Sequence, residues 1–129
     1  MPKQTVDTPS LILGKIHKQV LSRFKYITDE EQQGMVEHWQ FPTEEGLILD
    51  DCDGFAIACR KLVKDLTHYD TRLILCTTED GEYHLVCAVG DFILDNRFPF
   101  PTRKDILERL GYNFKYCSGL HAGEFWNIL

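Results

Sequence analysis

The sequence predicts an α+β fold, with helices in the first half of the chain and an antiparallel sheet in the second. Up to about residue 67, apolar side chains recur three and four places apart, which is the spacing of a helix that buries one face. From residue 72 the period changes to short apolar runs separated by turns that contain glycine, a pattern typical of strands joined as hairpins. Because helices come first and strands follow, an antiparallel meander is expected.

The helical half is expected to begin after a loose tail at residues 1–9. Three helices are predicted: from Pro9 or Ser10 to Phe24, from Asp29 to about His38, and from near Cys52 to about Thr67. Pro42 lies shortly after the second pattern, and proline cannot donate the backbone hydrogen bond that would continue a helix.

The second half is predicted to contain three consecutive strands, a short helix and a last strand. The expected ranges are Arg72–Thr77, Tyr83–Val89, Phe92–Asp95, Thr102 to about Leu110 for the helix, and Tyr112–Cys117. Gly90 and Asp91 form a two-residue turn between the second and third strands. Thr102 is expected to cap the helix and Gly111 to end it.

Composition and charge exclude several classes of protein. The 129 residues suit one domain with its own core, and a hydrophobic content of 43% is ordinary for such a domain. A net charge of −6 without a basic stripe argues against a nucleic-acid partner. No apolar run approaches the length of a membrane span, and the first residues lack the apolar segment of a signal peptide, so a cytoplasmic location and no membrane partner are expected. The oligomeric state has no signature in the sequence.

The five cysteines indicate neither a disulfide framework nor a zinc site. Their number is odd and no two are separated by two residues, so no metal or cofactor of that kind is expected. Cys59, Cys76 and Cys87 fall in apolar patterns and are expected in the core, as free cysteine usually is. This set fits a reducing compartment.

Cys52 is the candidate nucleophile, because it lies where acidic capping residues give way to the third helical pattern. Asp50 or Asp51 can cap that helix, since a carboxylate accepts bonds from the free N–H groups of the first turn. A thiol in a first turn lies near the positive end of the helix dipole, which favours the thiolate. The neighbouring carboxylates oppose this effect, so a histidine partner is required. The alternative interpretation is a buried structural cysteine.

His84 and Asp95 follow Cys52 on neighbouring predicted strands and supply a base and an orienting acid. The two-residue turn sets a register in which His84 and Asp95 project from one face of the sheet and Asn96 from the other. A three-residue loop would shift the register by one residue, so that Asn96 rather than Asp95 would share a face with His84. Each residue also has a plainer interpretation: a half-buried strand histidine and a strand-end carboxylate.

The other histidines are weaker candidates. His17 and His38 lie on amphipathic helices and are expected to be solvated, and His68 lies at a helix end, where a cation is favoured. His121 lies in a glycine-containing loop that can line a cleft.

Four segments of the chain resemble the bacterial transglutaminase-like cysteine peptidases, and the resemblance spans roughly residues 10–127. They are Trp39-Gln40-Phe41-Pro42-Thr43-Glu44-Glu45, Asp51-Cys52-Asp53-Gly54-Phe55-Ala56, Tyr83-His84-Leu85-Val86 and Leu94-Asp95-Asn96. That family typically carries Trp-x-x-Pro-x-Glu, then Gly-Asp-Cys-Glu-Asp-Tyr/Phe-Ala, then a strand histidine and a Leu-Asp-Asn strand end. The resemblance implies a papain-like, transglutaminase-like core, with Cys52 as nucleophile, His84 as general base and Asp95 as orienter.

The resemblance further implies a thiol-dependent peptidase or amidase that acts on a protein or peptide through an acyl-enzyme intermediate. Known members include periplasmic, calcium-dependent proteases that cut biofilm adhesins. This chain has Gly54 where the family usually has an acid, and Leu49 where calcium-dependent members can carry a further acid. Calcium binding by the acidic residues at 50, 51 and 53 is therefore expected to be weak or absent. The short, unexported form suits a phage-encoded or intracellular member.

Three alternative functions share these features. They are a non-catalytic binding module with the same fold, a transglutaminase that passes the acyl group to an amine, and a cell-wall peptide hydrolase. An inert Cys52 would favour the binding module. Cell-wall hydrolases often use a second histidine as their third polar group, and no suitable one is found here.

Overall fold

Two long helices form one layer of the protein. The computed structural model describes residues 9–23, 50–119 and 126–129, and for residues 9, 10, 23 and 50–53 it describes the backbone alone. Helix α1 spans Pro9–Arg23 and helix α2 spans Asp50–Leu66, which confirms the first and third predicted helices. The predicted second helix, at residues 29–38, lies outside the described residues. The hydroxyl and the N–H of Thr67 both donate to the carbonyl of Val63, at 2.6 and 2.9 Å, and satisfy one of the last carbonyls of α2.

The described strands form one antiparallel sheet. They are β1 (Arg72–Thr77), β2 (Tyr83–Val89), β3 (Phe92–Leu94), β4 (Thr102–Arg103), β5 (Asn113–Cys117) and β6 (Asn127–Ile128), in the spatial order β4-β3-β2-β1-β5-β6. Strands β1 to β4 follow one another as a meander, and helix α3 (Lys104–Leu110) then returns the chain to the opposite side of β1, where β5 pairs. The α+β class and the antiparallel sheet are as predicted. The crossover to β1 and the short strands β4 and β6 were not.

Alternation of side chains gives the sheet two apolar faces. Leu85 and Cys87 of β2 pack against the layer of α1 and α2, together with buried Leu13, Ile16, Val20, Phe55, Ala56, Cys59 and Val63. The opposite face carries the second core, which contains Val86, Ala88, Cys76, Ile93, Leu107, Tyr112 and Phe114. The prediction that Cys59, Cys76 and Cys87 belong to the core is confirmed, since all three are buried. The sheet is therefore covered on both faces, and its strands read as continuous apolar runs.

The predicted helix cap at Thr102 is wrong. Thr102 pairs with Ile93 as part of β4, and its hydroxyl donates to the carbonyl of Phe100 at 3.3 Å. Helix α3 begins after Arg103, whose side chain makes no capping bond. The edge of β3 offers Thr102 a backbone partner, and strand pairing takes the place of the cap.

Gly111 ends α3 as predicted, in the left-handed conformation with a φ of 112°. A methyl group at this position would lie 2.9 Å from Cβ of Glu79. Gly111→Ala is therefore expected to combine backbone strain with a clash and to lower the free energy of unfolding by about 2–4 kcal/mol. Urea denaturation monitored by circular dichroism measures this loss.

Gly81→Ala is the matched control for this prediction. Gly81 has a φ of 80°, and among the described residues no atom lies within 4 Å of the position its Cβ would take. This variant carries strain of about 1–2 kcal/mol without a clash. Equal losses in the two variants would contradict a tight contact between Gly111 and Glu79.

Candidate active site

Cys52 lies in the first turn of α2, whose backbone begins at Asp50. The Cys52 side chain lies outside the described part of the structure. Phe55, Ala56 and Cys59 continue from Cys52 at helical spacing and are all buried in the core beneath α1 and α2. The residues that follow Cys52 therefore anchor the start of α2 on the sheet.

His84 and Asp95 are joined by a hydrogen bond of 2.6 Å between Nε2 and Oδ1. Val89 pairs with Phe92 across a two-residue turn, which is the register that the sequence predicts. His84 is the second residue of β2 and Asp95 directly follows β3, so both side chains project from the same face. Both are buried, and Asp95 is only 1% exposed. The prediction that His84 bonds to Asp95 rather than to Asn96 is confirmed.

Asp95 is surrounded by hydrogen-bond donors. Its Oδ1 accepts from the backbone N–H of Arg97 at 2.9 Å in addition to the bond with His84, and its Oδ2 accepts from the hydroxyl of Tyr112 at 2.6 Å. Burial on its own raises the pKa of a carboxyl, but the bonds with His84, Tyr112 and Arg97 outweigh it and hold the pKa of Asp95 below its usual range. Asp95 is therefore ionised at neutral pH.

Tyr112 is held in turn by Arg97. Nη1 of Arg97 donates to the Tyr112 hydroxyl at 3.0 Å, and the guanidinium carbon lies 5.5 Å from the centroid of the tyrosine ring. Arg97 also donates to both carboxylate oxygens of Glu79, at 3.1 and 2.6 Å. The hydrogen bond with Arg97 lowers the pKa of Glu79 to about 2, and the same bond raises the pKa of Arg97. The sequence analysis missed the roles of Arg97, Tyr112 and Glu79. Tyr112 directly precedes β5, and Glu79 lies in the turn between β1 and β2.

His17 links α1 to the turn that follows Asp95. Its Nε2 donates to the carbonyl of Phe98 at 2.7 Å, and the N–H of Phe98 donates to the carbonyl of Asp95 at 3.1 Å. The His17 ring packs edge-on against Phe55 of α2, with ring centroids 5.2 Å apart. Because Phe55 lies three residues after Cys52, the start of α2 lies at the same end of the sheet as Asp95.

The expectation that His17 is solvated is wrong, since His17 is 0% exposed. It lies three residues before the buried Val20 and so shares the apolar face of α1, a spacing that could have indicated burial. His68 was predicted at a helix end, and it lies exposed two residues after α2 ends at Leu66. His38 and His121 lie outside the described residues.

Within residues 9–23, 50–119 and 126–129, no group of three His, Cys, Asp or Glu side chains is arranged to hold a metal ion. The acidic side chains at 50, 51 and 53 are not among those described. Over the same part of the chain, no helix is both long and apolar enough to cross a membrane.

A cysteine at a helix start, followed in the chain by a hydrogen-bonded histidine and aspartate on an antiparallel sheet, is the arrangement of a thiol-dependent hydrolase. The sequence model of one protein family, the bacterial transglutaminase-like cysteine proteinases (BTLCP), matches residues 3–126. The chain therefore belongs to this family. The family to which the four sequence segments pointed is thus confirmed, and with it the class of cysteine proteinase. No curated protein and no solved structure matched the chain.

His17 is expected to make the protein less stable in mild acid. Burial lowers the pKa of His17 from its ordinary 6.5, although the bond to the Phe98 carbonyl opposes this. Between 6.5 and the lowered value, the unfolded chain binds a proton that the folded chain does not, so the free energy of unfolding falls as the pH drops. Asp95 affects stability in a different pH range. Its pKa is lowered on folding, so its contribution to the free energy of unfolding is lost only as the pH falls below the ordinary value of 3.8.

Thermal melts between about pH 7.5 and about pH 5, the range in which histidine titrates, measure this effect. His17→Gln keeps an N–H donor for Phe98 but does not titrate, so its melting temperature should depend less on pH than that of the wild type. His68→Gln is the matched control at an exposed position and should keep the wild-type slope. An unchanged slope in His17→Gln would show that another group is responsible.

Proposed function

We propose that this protein is a thiol-dependent peptidase or amidase that cleaves protein or peptide substrates through a Cys52–His84–Asp95 triad. The observation that carries the proposal is the buried hydrogen bond of 2.6 Å between His84 Nε2 and Asp95 Oδ1. It commits one imidazole nitrogen to a carboxylate and leaves Nδ1 as the nitrogen that the thiol would meet. A carboxylate in this position orients the ring and supports the imidazolium that forms when the thiol gives up its proton.

The location of α2 supports Cys52 as the nucleophile. His17 bridges Phe55, three residues after Cys52, and Phe98, three residues after Asp95. The helix start and the acid therefore share one end of the sheet. His84 lies near the beginning of β2, so the proposal requires the thiol to reach it around the end of that strand. The positive end of the α2 dipole favours the thiolate there.

The reaction then runs in two halves. Cys52 Sγ attacks the carbonyl carbon of the scissile amide while His84 Nδ1 takes the thiol proton, and backbone N–H groups in the first turn of α2 stabilise the oxyanion. The C–N bond breaks, His84 returns its proton to the leaving amine, and a thioester remains on Cys52. Water attacks the thioester while His84 takes its proton, the C–S bond breaks to release the carboxylic acid, and His84 returns the proton to Cys52 Sγ. An amine in place of water would give transamidation from the same acyl-enzyme.

Cys52 is expected to be the reactive thiol of the folded protein. Burial raises the pKa of Cys59 well above its ordinary value and that of Cys87 to about 12, so both should react slowly. The Cys76 thiol is buried and donates to the carbonyl of His84. Iodoacetamide labelling near neutral pH, followed by peptide mapping, should show Cys52 alkylated at least about tenfold faster than these three, since each unit of lowered pKa multiplies the thiolate about tenfold.

Cys117 is the internal comparison for this experiment, because it is only partly buried and belongs to no part of the triad. Cys52→Ala should abolish hydrolysis of a quenched-fluorescent peptide library and leave the melting temperature nearly unchanged. Uniform slow labelling of all five cysteines would exclude a thiol peptidase and favour a binding module that keeps the fold.

Asp95→Asn is expected to lower hydrolysis by roughly 10³-fold or more, as neutralising a triad acid does elsewhere, because the amide neither fixes the His84 tautomer nor supports its cation. Circular dichroism should confirm that the variant remains folded. The library assay above gives the rate.

Asn96→Ala is the matched control for Asp95→Asn. Asn96 neighbours Asp95 in the chain, and its Oδ1 is buried without a hydrogen-bond partner among the described residues. Its loss should change the rate by less than about tenfold, since no bond to His84 is removed. A larger effect of Asn96→Ala than of Asp95→Asn would reverse the assignment of the orienting residue.

A further inference from the structure

We propose that Glu79, Arg97 and Tyr112 form a positioning relay that fixes which nitrogen of His84 carries the proton. The relay runs from the surface to the buried carboxylate: Glu79 holds Arg97, Arg97 holds the hydroxyl of Tyr112, and Tyr112 holds Asp95. This inference deepens the proposed function and rests on it for its catalytic meaning. Its physical content concerns proton positions and can be tested without any turnover.

The direction of the tyrosine proton follows from the chemistry of its two partners. A guanidinium has N–H donors and no acceptor, so the Tyr112 oxygen must accept from Arg97 Nη1. A phenol hydroxyl has one proton, and that proton must then point to Asp95 Oδ2, 2.6 Å away. Arg97 thereby commits the side-chain donor of Tyr112 to the carboxylate.

The state of Asp95 follows in turn. Its Oδ2 receives the tyrosine proton and its Oδ1 receives the backbone N–H of Arg97 at 2.9 Å, so both oxygens are used as acceptors. A carboxylate whose two oxygens both accept hydrogen bonds remains ionised, in keeping with the lowered pKa of Asp95. An ionised carboxylate cannot donate, so the proton in the bond of 2.6 Å to His84 must belong to Nε2. Neutral His84 is therefore the Nε2–H tautomer, with the lone pair on Nδ1.

The relay is buried at its Tyr112–Asp95 end and reaches the surface at Arg97 and Glu79, whose side chains are 36% and 40% exposed. The Tyr112 side chain is buried in the second core, where its ring lies edge-on to His84 with centroids 6.1 Å apart. The Arg97 guanidinium is held by both carboxylate oxygens of Glu79 and lies over the Tyr112 ring. A bidentate pair of this kind fixes orientation more tightly than a single contact. Gly111, adjacent to Tyr112, brings the backbone close to Glu79.

The first test measures proton positions in the Cys52→Ala background, in which no reaction can occur. Nitrogen-15 NMR of the neutral His84 ring should show the Nε2–H tautomer. Tyr112→Phe should raise the pKa of Asp95, followed by carbon-13 NMR of its carboxyl, and should produce a mixture of His84 tautomers. Tyr116→Phe is the matched control, because it removes a hydroxyl from a half-buried tyrosine outside the relay, and its spectra should match the wild type.

Arg97 provides a second pair of variants. Arg97→Lys keeps a donor-only cation and should retain most of the Nε2–H tautomer. Arg97→Gln introduces an amide oxygen that can accept the tyrosine proton, so the tautomer mixture should reappear. Both keep the backbone N–H that donates to Asp95, which isolates the effect of the side chain.

The kinetic test uses the chain with Cys52 intact. Tyr112→Phe should slow iodoacetamide labelling of Cys52 by roughly tenfold, the order expected when one hydrogen bond to a charged group is lost, and should shift the pH profile of labelling. Tyr116→Phe should do neither. Uniform slow labelling with the Nε2–H tautomer intact would overturn the proposed function and leave the relay standing. A wild-type His84 with its proton on Nδ1, or an Asp95 that titrates identically in Tyr112→Phe, would overturn the relay.

Discussion

The buried carboxylate of Asp95 is the constraint on which the rest of the site depends. An ionised carboxylate at 1% exposure is costly to hold in a protein interior unless donors surround it. Tyr112, His84 and the backbone of Arg97 meet this need, and hydrogen bonds to a charged group contribute about 1.5–3 kcal/mol each. The chain therefore cannot lose one donor without leaving part of a buried charge unsatisfied. The arrangement that orients the imidazole is the same one that allows the charge to be buried.

Much of this could be predicted because hairpin geometry is local. A two-residue turn permits one antiparallel register, and the register fixes parity along both strands. The pairing of His84 with Asp95, and the exclusion of Asn96, followed from counting residues on either side of the turn. Helix α2 was predictable for a similar reason, since apolar residues recur at one spacing from Phe55 onward and acidic residues precede them. These inferences need only contacts that are close in the sequence.

The parts that could not be predicted depend on contacts between distant segments. Tyr112 reaches Asp95 because β5 crosses to the far side of β1, and no local pattern specifies that crossover. His17 lies 81 residues from its partner Phe98, and its burial is meaningful only once α1 is packed over the sheet. The failure at Thr102 has the same origin, because the competing partner is an edge of β3 that exists only in the folded sheet. Threonine is a residue type that can cap a helix, but in the folded protein Thr102 pairs with Ile93 of β3 instead.

The two buried histidines show how placement divides their roles. His17 and His84 both lie at the end of the sheet that carries Asp95, yet they meet it differently. His84 contacts the carboxylate itself, whereas His17 bonds the carbonyl of Phe98, whose N–H in turn bonds the main chain of Asp95. The first contact involves a charged group, whereas the second involves only a backbone carbonyl. Burial lowers the pKa of His17 and favours its neutral form, so His17 adds no positive charge beside the carboxylate of Asp95. Neutral His17 can then connect Phe55 near the start of α2 with the turn that follows Asp95, without adding a charge beside His84 and Asp95.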